Sequence, residues 1–168
     1  PSDPPTVDSD NLAGGRTATQ HLLDLGHRRI GFLAGRPDLE SARLREQGYR
    51  EALADAGIAF DPDLVRVGGY RPDLADSPAH ELLSLPERPT AIFAANDLSA
   101  IRTMEVAAEL GLRVPDDVSV IGFDNVPESA LPPPPLTTVD QPIHRMGTEA
   151  LRLIVDLVEG RTRDRSEE

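Results

Sequence analysis

Short apolar runs alternate along the chain with longer segments of helical periodicity, and this alternation constrains the fold more than any other feature. The runs have the length and composition of strands that are buried on both faces. They cover residues 28–35, 64–70, 90–97 and 118–124, with a further extended segment at 136–141. Helical spacing is found at residues 11–25, 40–56, 76–85, 97–110 and 142–159.

This order of elements predicts an α/β fold. Parallel neighbours in a sheet need a crossover connection, and a helix between two strands supplies it, nearly always with a right-handed turn. We therefore expect a doubly wound, mostly parallel sheet with helices on both faces. The length of 168 residues fits one domain, or one lobe of a two-lobed protein.

Composition excludes several classes of protein. The absence of cysteine rules out disulfide scaffolds, thiol catalysis and cysteine-bound metals. No apolar run approaches the roughly 20 residues of a membrane-spanning helix. The first ten residues also lack the basic flank and apolar stretch of a signal peptide. We expect a cytoplasmic protein that does not contact a membrane.

The net charge of −12 argues against direct binding to nucleic acid, because such binding depends on clustered cationic side chains. All 17 basic residues are arginines, set against 29 acidic residues. Any contact with DNA is therefore expected to come from another segment.

Polar side chains follow the predicted strands where each strand ends. Tyr70 lies at the carboxyl end of the second, Asn96 and Asp97 lie at that of the third, and Asp124 and Asn125 lie at that of the fourth. The carboxyl ends of parallel strands share one edge of the sheet, and ligands bind in the crevice there. Carboxylate and amide groups suit the vicinal hydroxyls of a sugar, and a tyrosine ring can stack on its apolar face.

Other interpretations of these residues stay open. A metal site would need several of their oxygens within coordination distance of one ion. Asp97 is better explained as a cap or dipole partner of the helix that begins there, whereas a ligand role is favoured for Asn96 and Asp124. The sequence holds no phosphate-binding glycine loop, nucleophile elbow or zinc-protease motif, so it favours no enzyme class, no cofactor and no metal.

Several strings resemble the effector-binding region of the LacI/GalR family of bacterial transcriptional regulators. In order along residues 6–160 they are DNLAGG, LGHRRIGFLAG, SARLREQGY, PTAIFAANDLSA, GLRVPDDVSVIGFDN and PLTTVDQP. The resemblance implies a two-lobed, periplasmic-binding-protein-like receptor whose N-terminal helix-turn-helix reads operator DNA as a homodimer. Residues 8–141 then correspond to the C-terminal lobe, 142–160 to a helix that crosses back to the N-terminal lobe, and 161–168 to a polar tail. The DNA-binding headpiece and most of the N-terminal lobe would lie outside this chain.

The resemblance also implies site residues. Arg45 in SARLREQGY matches an arginine that reaches the effector; without the resemblance it would be interpreted as a solvated helix arginine. Asn96 and Asp124 match the amide and the carboxylate that hold the ligand, and Tyr70 matches a stacking aromatic. Two weaker candidates have alternative roles, namely Phe123 as a core residue and Gln141 as a hinge contact.

The helix after the Asn-Asp motif and the loop 126–135 resemble the dimer interface of the family. Ile101, Arg102 and Leu131 are the candidate interface residues. The family usually has a small residue, often glycine, where this chain has Ile101-Arg102, so a bulky cation stands at this position of the interface that the resemblance implies.

The favoured function is an effector-sensing and dimerisation module of a LacI/GalR-type regulator, a repressor that binds a sugar or a nucleoside-like molecule without turnover. One alternative is the sugar-binding receptor of a transporter. A third, with less support, is a sugar-modifying enzyme that uses Asp97 and Asp124 as an acid–base pair.

Overall fold

The computed structural model describes residues 6–161. Within this range the chain forms two compact units. One unit, Asp10–Asp140, contains a five-stranded sheet and four helices, and the other contains residues 6–9 together with the segment from Gln141 onwards. The predicted tail at 161–168 lies outside the described residues except for its first residue.

The elements follow one another as the apolar rhythm predicts. The strands are β1 (Ile30–Ala34), β2 (Val65–Val67), β3 (Ala91–Ala94), β4 (Ser119–Asp124) and β5 (Thr137–Asp140). The helices are α1 (Asn11–Asp24), α2 (Glu40–Asp55), α3 (Pro72–Leu83), α4 (Asp97–Glu109) and α5 (Ile143–Val158). Short 3-10 turns lie at Pro62–Leu64 and Pro127–Ala130.

The sheet has the strand order β2-β1-β3-β4-β5, and every neighbouring pair is parallel. This confirms the α/β class and sharpens the expectation of a mostly parallel sheet to an entirely parallel one among the described strands. The order reverses between β1 and β3, where the connections on either side leave in opposite directions. A crevice opens at such a point beyond the carboxyl ends of the strands.

Alternate residues of the strands serve two cores, one on each face of the sheet. Phe32 and Phe93 pack with α1 and α2, whereas Leu33 and Ile92 pack with α3 and α4. This alternation explains why the central strands are apolar throughout, since both of their faces are covered by helices.

Several boundaries differ from the sequence prediction by one to four residues, and two of these differences have a clear local reason. Helix α3 begins at Pro72 rather than at residue 76, because proline lacks only an amide donor that the first helical turn does not use. Strand β2 ends at Val67, and the following residues through Tyr70 form a turn in which Gly69 and Tyr70 have φ values of 66° and 67°.

Among the residues that the structure describes, none of the helices combines the length and the hydropathy needed to cross a lipid bilayer.

Helices α1 and α2 approach each other through glycines. Gly15 lies against the backbone of Arg45, and Gly48 lies against the backbone of Leu12 and Arg16. A β-carbon at either glycine would collide with main-chain atoms, which cannot rotate away as a flexible side chain can.

We therefore expect Gly48→Ala to lower the free energy of unfolding by about 2 kcal/mol, because the overpacking outweighs the gain in helix propensity. Gly147→Ala in α5 is the matched control, since nothing lies within 4 Å of the added β-carbon. Urea denaturation should show the first variant destabilised and the second equal to or more stable than the parent. Equal stability of both variants would contradict the close approach of the two helices.

Candidate functional site

Arg45 is a buried arginine at the carboxyl edge of the sheet, with 5% of its surface exposed. Its Nε donates to Asn11 Oδ1 at 2.9 Å, and its Nη1 donates to the carbonyl oxygen of Ala95, just beyond β3. Nη1 also lies 3.5 Å from Asp124 Oδ1, at the end of β4. A buried cation is tolerated only when it is paired and hydrogen-bonded, and these partners meet that need. The interpretation of Arg45 as a solvated helix arginine is therefore wrong.

Two aromatic rings lie beside the guanidinium group of Arg45. Its central carbon is 3.7 Å from the centroid of the Phe123 ring and 5.7 Å from that of Tyr70. Both distances fall within the range of cation–π attraction. Phe123 also belongs to the core on the α1/α2 face, which fits the alternative role of a core residue.

Asn96 connects the third strand to the turn that carries Tyr70. Its Nδ2 donates to the backbone oxygen of Tyr70 at 3.2 Å, and its Oδ1 accepts from the backbone N–H of Ser99 at 3.1 Å. Asn96 is thus the N-cap of α4. The capping role that the sequence suggested for Asp97 belongs to its neighbour, because a cap residue stands before the first helical position.

Asp97 instead joins α4 to the segment beyond β4. Its carboxylate is fully buried and accepts hydrogen bonds from the backbone N–H of Val126 at 2.9 Å and from the Thr138 hydroxyl at 2.5 Å. Burial raises the pKa of Asp97, while these hydrogen bonds act in the opposite direction. A β-carbon on Gly122 would collide with this carboxylate, so glycine provides the space that it occupies.

Strained backbone is concentrated at the same edge. Tyr70, Asp124 and Asn125 have φ values of 67°, 118° and 56°, and they are the non-glycine residues of positive φ in the described part of the chain. Such conformations cost on the order of 1–3 kcal/mol each and persist only where surrounding contacts impose them. The Asn125 side chain provides one contact by donating to Asp140 Oδ1 at 2.8 Å.

The structure therefore brings together five of the six residues predicted to bind ligand, namely Arg45, Tyr70, Asn96, Phe123 and Asp124. Gln141 belongs to the other compact unit, where its Oε1 accepts from the Ser9 hydroxyl at 2.6 Å. Sequence reasoning missed Asn11, which holds Arg45. Its signal was a polar residue on the buried stripe of α1 that Gly15, Ala18 and Leu22 define.

A second surface feature contains the candidate dimer residues. Ile101, Arg102 and Leu131 line a groove of about 720 Å³ between α4 and the loop 126–135. The side chain of Leu131 is 78% exposed. The groove has a largely apolar lining that also includes Leu98, Met104, Leu112 and Val114.

Arg102 is neutralised within the chain. Its guanidinium group donates to Asp76, and lies 2.8 Å from Glu105 Oε2 and 2.9 Å from Glu109 Oε1. These carboxylates raise the pKa of Arg102 further above its usual value. The charge of Arg102 is therefore balanced by carboxylates of the same chain.

Within residues 6–161, no group of three or more histidine, aspartate or glutamate side chains is arranged to hold a metal ion.

Comparison with known proteins gives a consistent set of relatives. Residues 19–168 match the family described as periplasmic binding protein-like domain. The HTH-type transcriptional regulator CelR of Thermobifida fusca is 44% identical over 156 residues, which cover 93% of this chain and 46% of the relative. The HTH-type transcriptional repressor CytR of Escherichia coli K12 is 39% identical with the same coverage. The chain spans less than half the length of these relatives.

The solved structures that resemble this chain include regulators of the same kind. The structure of a transcriptional regulator CelR-cellobiose complex superposes with a TM-score of 0.90 at 43% identity, covering 94% of this chain and 48% of that chain. A regulatory protein of the LacI family from Chloroflexus aggregans superposes with a TM-score of 0.88 at 36% identity, covering 98% and 60%.

If Asp97 holds the segment beyond β4, Asp97→Ala should lower the free energy of unfolding by about 3 kcal/mol, because it leaves two half-buried donors, the Val126 N–H and the Thr138 hydroxyl, without their acceptor. The matched control is Asp73→Ala, which also removes a carboxylate from the first turn of a helix but is exposed and pairs with Arg71. Urea denaturation should leave the control nearly unchanged. Equal losses in both variants would instead indicate that Asp97 acts only on the helix dipole.

Proposed function

The chain belongs to the periplasmic binding protein-like domain family, in the form found in LacI-family transcriptional regulators, and we propose that it is the effector-sensing lobe of a bacterial repressor that binds a sugar. The observation that carries the proposal is the pair of buried Arg45 and half-buried Asp124 at the carboxyl edge of the sheet. A polar pair built into this edge and flanked by aromatic rings is suited to holding a small molecule.

The chemistry of the edge favours a sugar. The guanidinium group of Arg45 supplies donors, and the carboxylate of Asp124, whose side chain is 20% exposed, supplies acceptors. Together they match vicinal hydroxyls, and hydrogen bonds to charged groups are the stronger kind. The relative solved as a cellobiose complex supports this class. A nucleoside-like effector is the second candidate, since the same groups can bind ring nitrogens.

We further propose that residues 8–141 are one wall of an effector cleft and that residues 142–160 cross to a second lobe. Helix α5 supports this division because its apolar side chains are exposed, including Leu151, Ile154, Leu157 and Val158. Exposed apolar patches of this kind mark interaction surfaces. Gln141 and Ser9 would then lie in the connections between the lobes.

In this mechanism the effector changes the closure of the two lobes and so the spacing of two DNA-reading headpieces in a homodimer. The coupling between the effector site and the DNA site is reciprocal, so operator binding must also change effector affinity. We propose that operator contact falls to a headpiece outside this acidic chain and that the protein acts in the cytoplasm. The curated relatives named above are transcriptional regulators, which supports binding without turnover.

The enzymatic alternative loses its support at Asp97. An acid–base pair needs both carboxyl groups within reach of substrate, yet Asp97 is fully buried and both of its oxygens accept hydrogen bonds from the protein. The transporter-receptor alternative is disfavoured because the relatives are helix-turn-helix regulators.

We propose that the groove lined by Ile101 and Leu131 is the dimer interface. The internal ion pairs of Arg102 reduce the cost of covering its charge, so the residue does not oppose an apolar contact.

The effector proposal is tested by thermal-shift measurements on the full-length protein with cellobiose, glucose, ribose, cytidine and adenosine. We expect a sugar to raise the melting temperature and Asp124→Ala to abolish that rise. The matched control is Asp61→Ala, which also breaks a pair with an arginine, Arg29, but at the amino edge of the sheet. An undiminished shift in Asp124→Ala would refute the site, and a response to nucleosides alone would refute the sugar class.

The dimer proposal is tested by sedimentation equilibrium. Leu131→Asp should raise the dimer dissociation constant about tenfold or more, as expected for a charge placed at the centre of an apolar contact. Leu25→Asp is the control, because Leu25 is 62% exposed and lies outside the groove. Unchanged association of Leu131→Asp would rule out this groove as the interface.

A further inference from the structure

Asn11 is a polar side chain with 1% of its surface exposed at the first position of α1. Burial of an amide is unfavourable unless its polar atoms are hydrogen-bonded. Its Oδ1 accepts from Nε of Arg45 at 2.9 Å, which links the start of α1 to a residue 34 positions away.

The glycine contact between α1 and α2 makes this hydrogen bond possible. Gly15 is one helical turn after Asn11, and Gly48 is close to one turn after Arg45. Because both glycines meet backbone of the opposite helix, the axes come close enough for the short Asn11 side chain to reach the guanidinium group. The two helices therefore hold the amide and the guanidinium group in a fixed register.

Two of the three guanidinium nitrogens of Arg45 donate hydrogen bonds to acceptors of the protein. Nε is taken by Asn11, and Nη1 is taken by the carbonyl of Ala95 and the carboxylate of Asp124. In the part of the chain that the structure describes, Nη2 donates to no protein acceptor. A guanidinium group is planar, so two fixed nitrogens define the direction of the third.

We propose that Asn11 is the positioning residue of Arg45: by accepting the Nε–H it fixes the guanidinium plane against the Phe123 ring and reserves the Nη2 donors for the effector. The effector part of this inference rests on the function proposed above, whereas the positioning of Arg45 does not. Without Asn11, Nε would lose its acceptor and the guanidinium group could rotate about its last side-chain bonds.

The positioning is tested without ligand by the nitrogen–proton NMR signal of the Arg45 Nε–H in the full-length protein. The signal is assigned by its disappearance in Arg45→Lys. In the parent it should exchange slowly with solvent, because the donor is buried and hydrogen-bonded. Asn11→Ala should broaden it or remove it by fast exchange, and Asn11→Asp, which keeps an acceptor oxygen, should retain it.

The consequence for binding is tested by calorimetric titration of the same proteins with cellobiose. Asn11→Ala should raise the dissociation constant about tenfold, the scale of one hydrogen bond to a charged group. Thr19→Val is the control, since Thr19 is fully buried on α1 and its hydroxyl donates to Gly15 rather than to the site. It should lower the free energy of unfolding without changing the affinity.

An unchanged Nε–H signal in Asn11→Ala would overturn the positioning role, as would an affinity equal to that of the Thr19→Val control. If Asn11→Ala does not fold, Asn11→Ser gives the same comparison with a side chain too short to reach Nε. A parent protein that does not bind cellobiose would refute cellobiose as the effector, and the exchange of the Nε–H would still decide the role of Asn11.

Discussion

The burial of one cation determines the organisation of the carboxyl edge of this sheet. Removing the Arg45 guanidinium group from water is costly, and the cost is offset only if acceptors surround it. Those acceptors come from α1, from the residue after β3 and from the end of β4, while the Phe123 ring covers one face. The partners are distant in sequence, so the pair with Asp124 can form only when the helices and the sheet are already in place.

The same edge holds the strained non-glycine backbone found in residues 6–161. Tyr70, Asp124 and Asn125 adopt positive φ without being glycine, and Asn96 and Asp97 fix the turns in which two of them lie. Stability is thereby given up at the edge that we propose as the effector site, and the surrounding hydrogen bonds compensate for it. An edge with strained backbone is expected to be less stable on its own than the two cores beneath it.

Sequence reasoning predicted the sheet well because each central strand is apolar on both faces, which leaves few alternatives for its burial. It also predicted that Tyr70, Asn96 and Asp124 would meet, since parallel strands end at one edge. It failed for Asp97, whose partners Val126 and Thr138 depend on the path of the chain after β4. The ligand-binding role predicted for Arg45 came from family resemblance alone. Asn11 was overlooked because a buried hydrogen bond between two helices produces no recognisable pattern in the sequence of either helix.

The outermost strands have a consequence for how copies of this protein can associate. Strand β2 has three residues and β5 has four, so each edge strand exposes few unpaired main-chain groups. Short edge strands are a poor template for the intermolecular strand pairing that leads to fibres. We therefore expect copies of this domain to associate through side-chain surfaces, which recognise a partner by shape, and not through strand pairing at these edges.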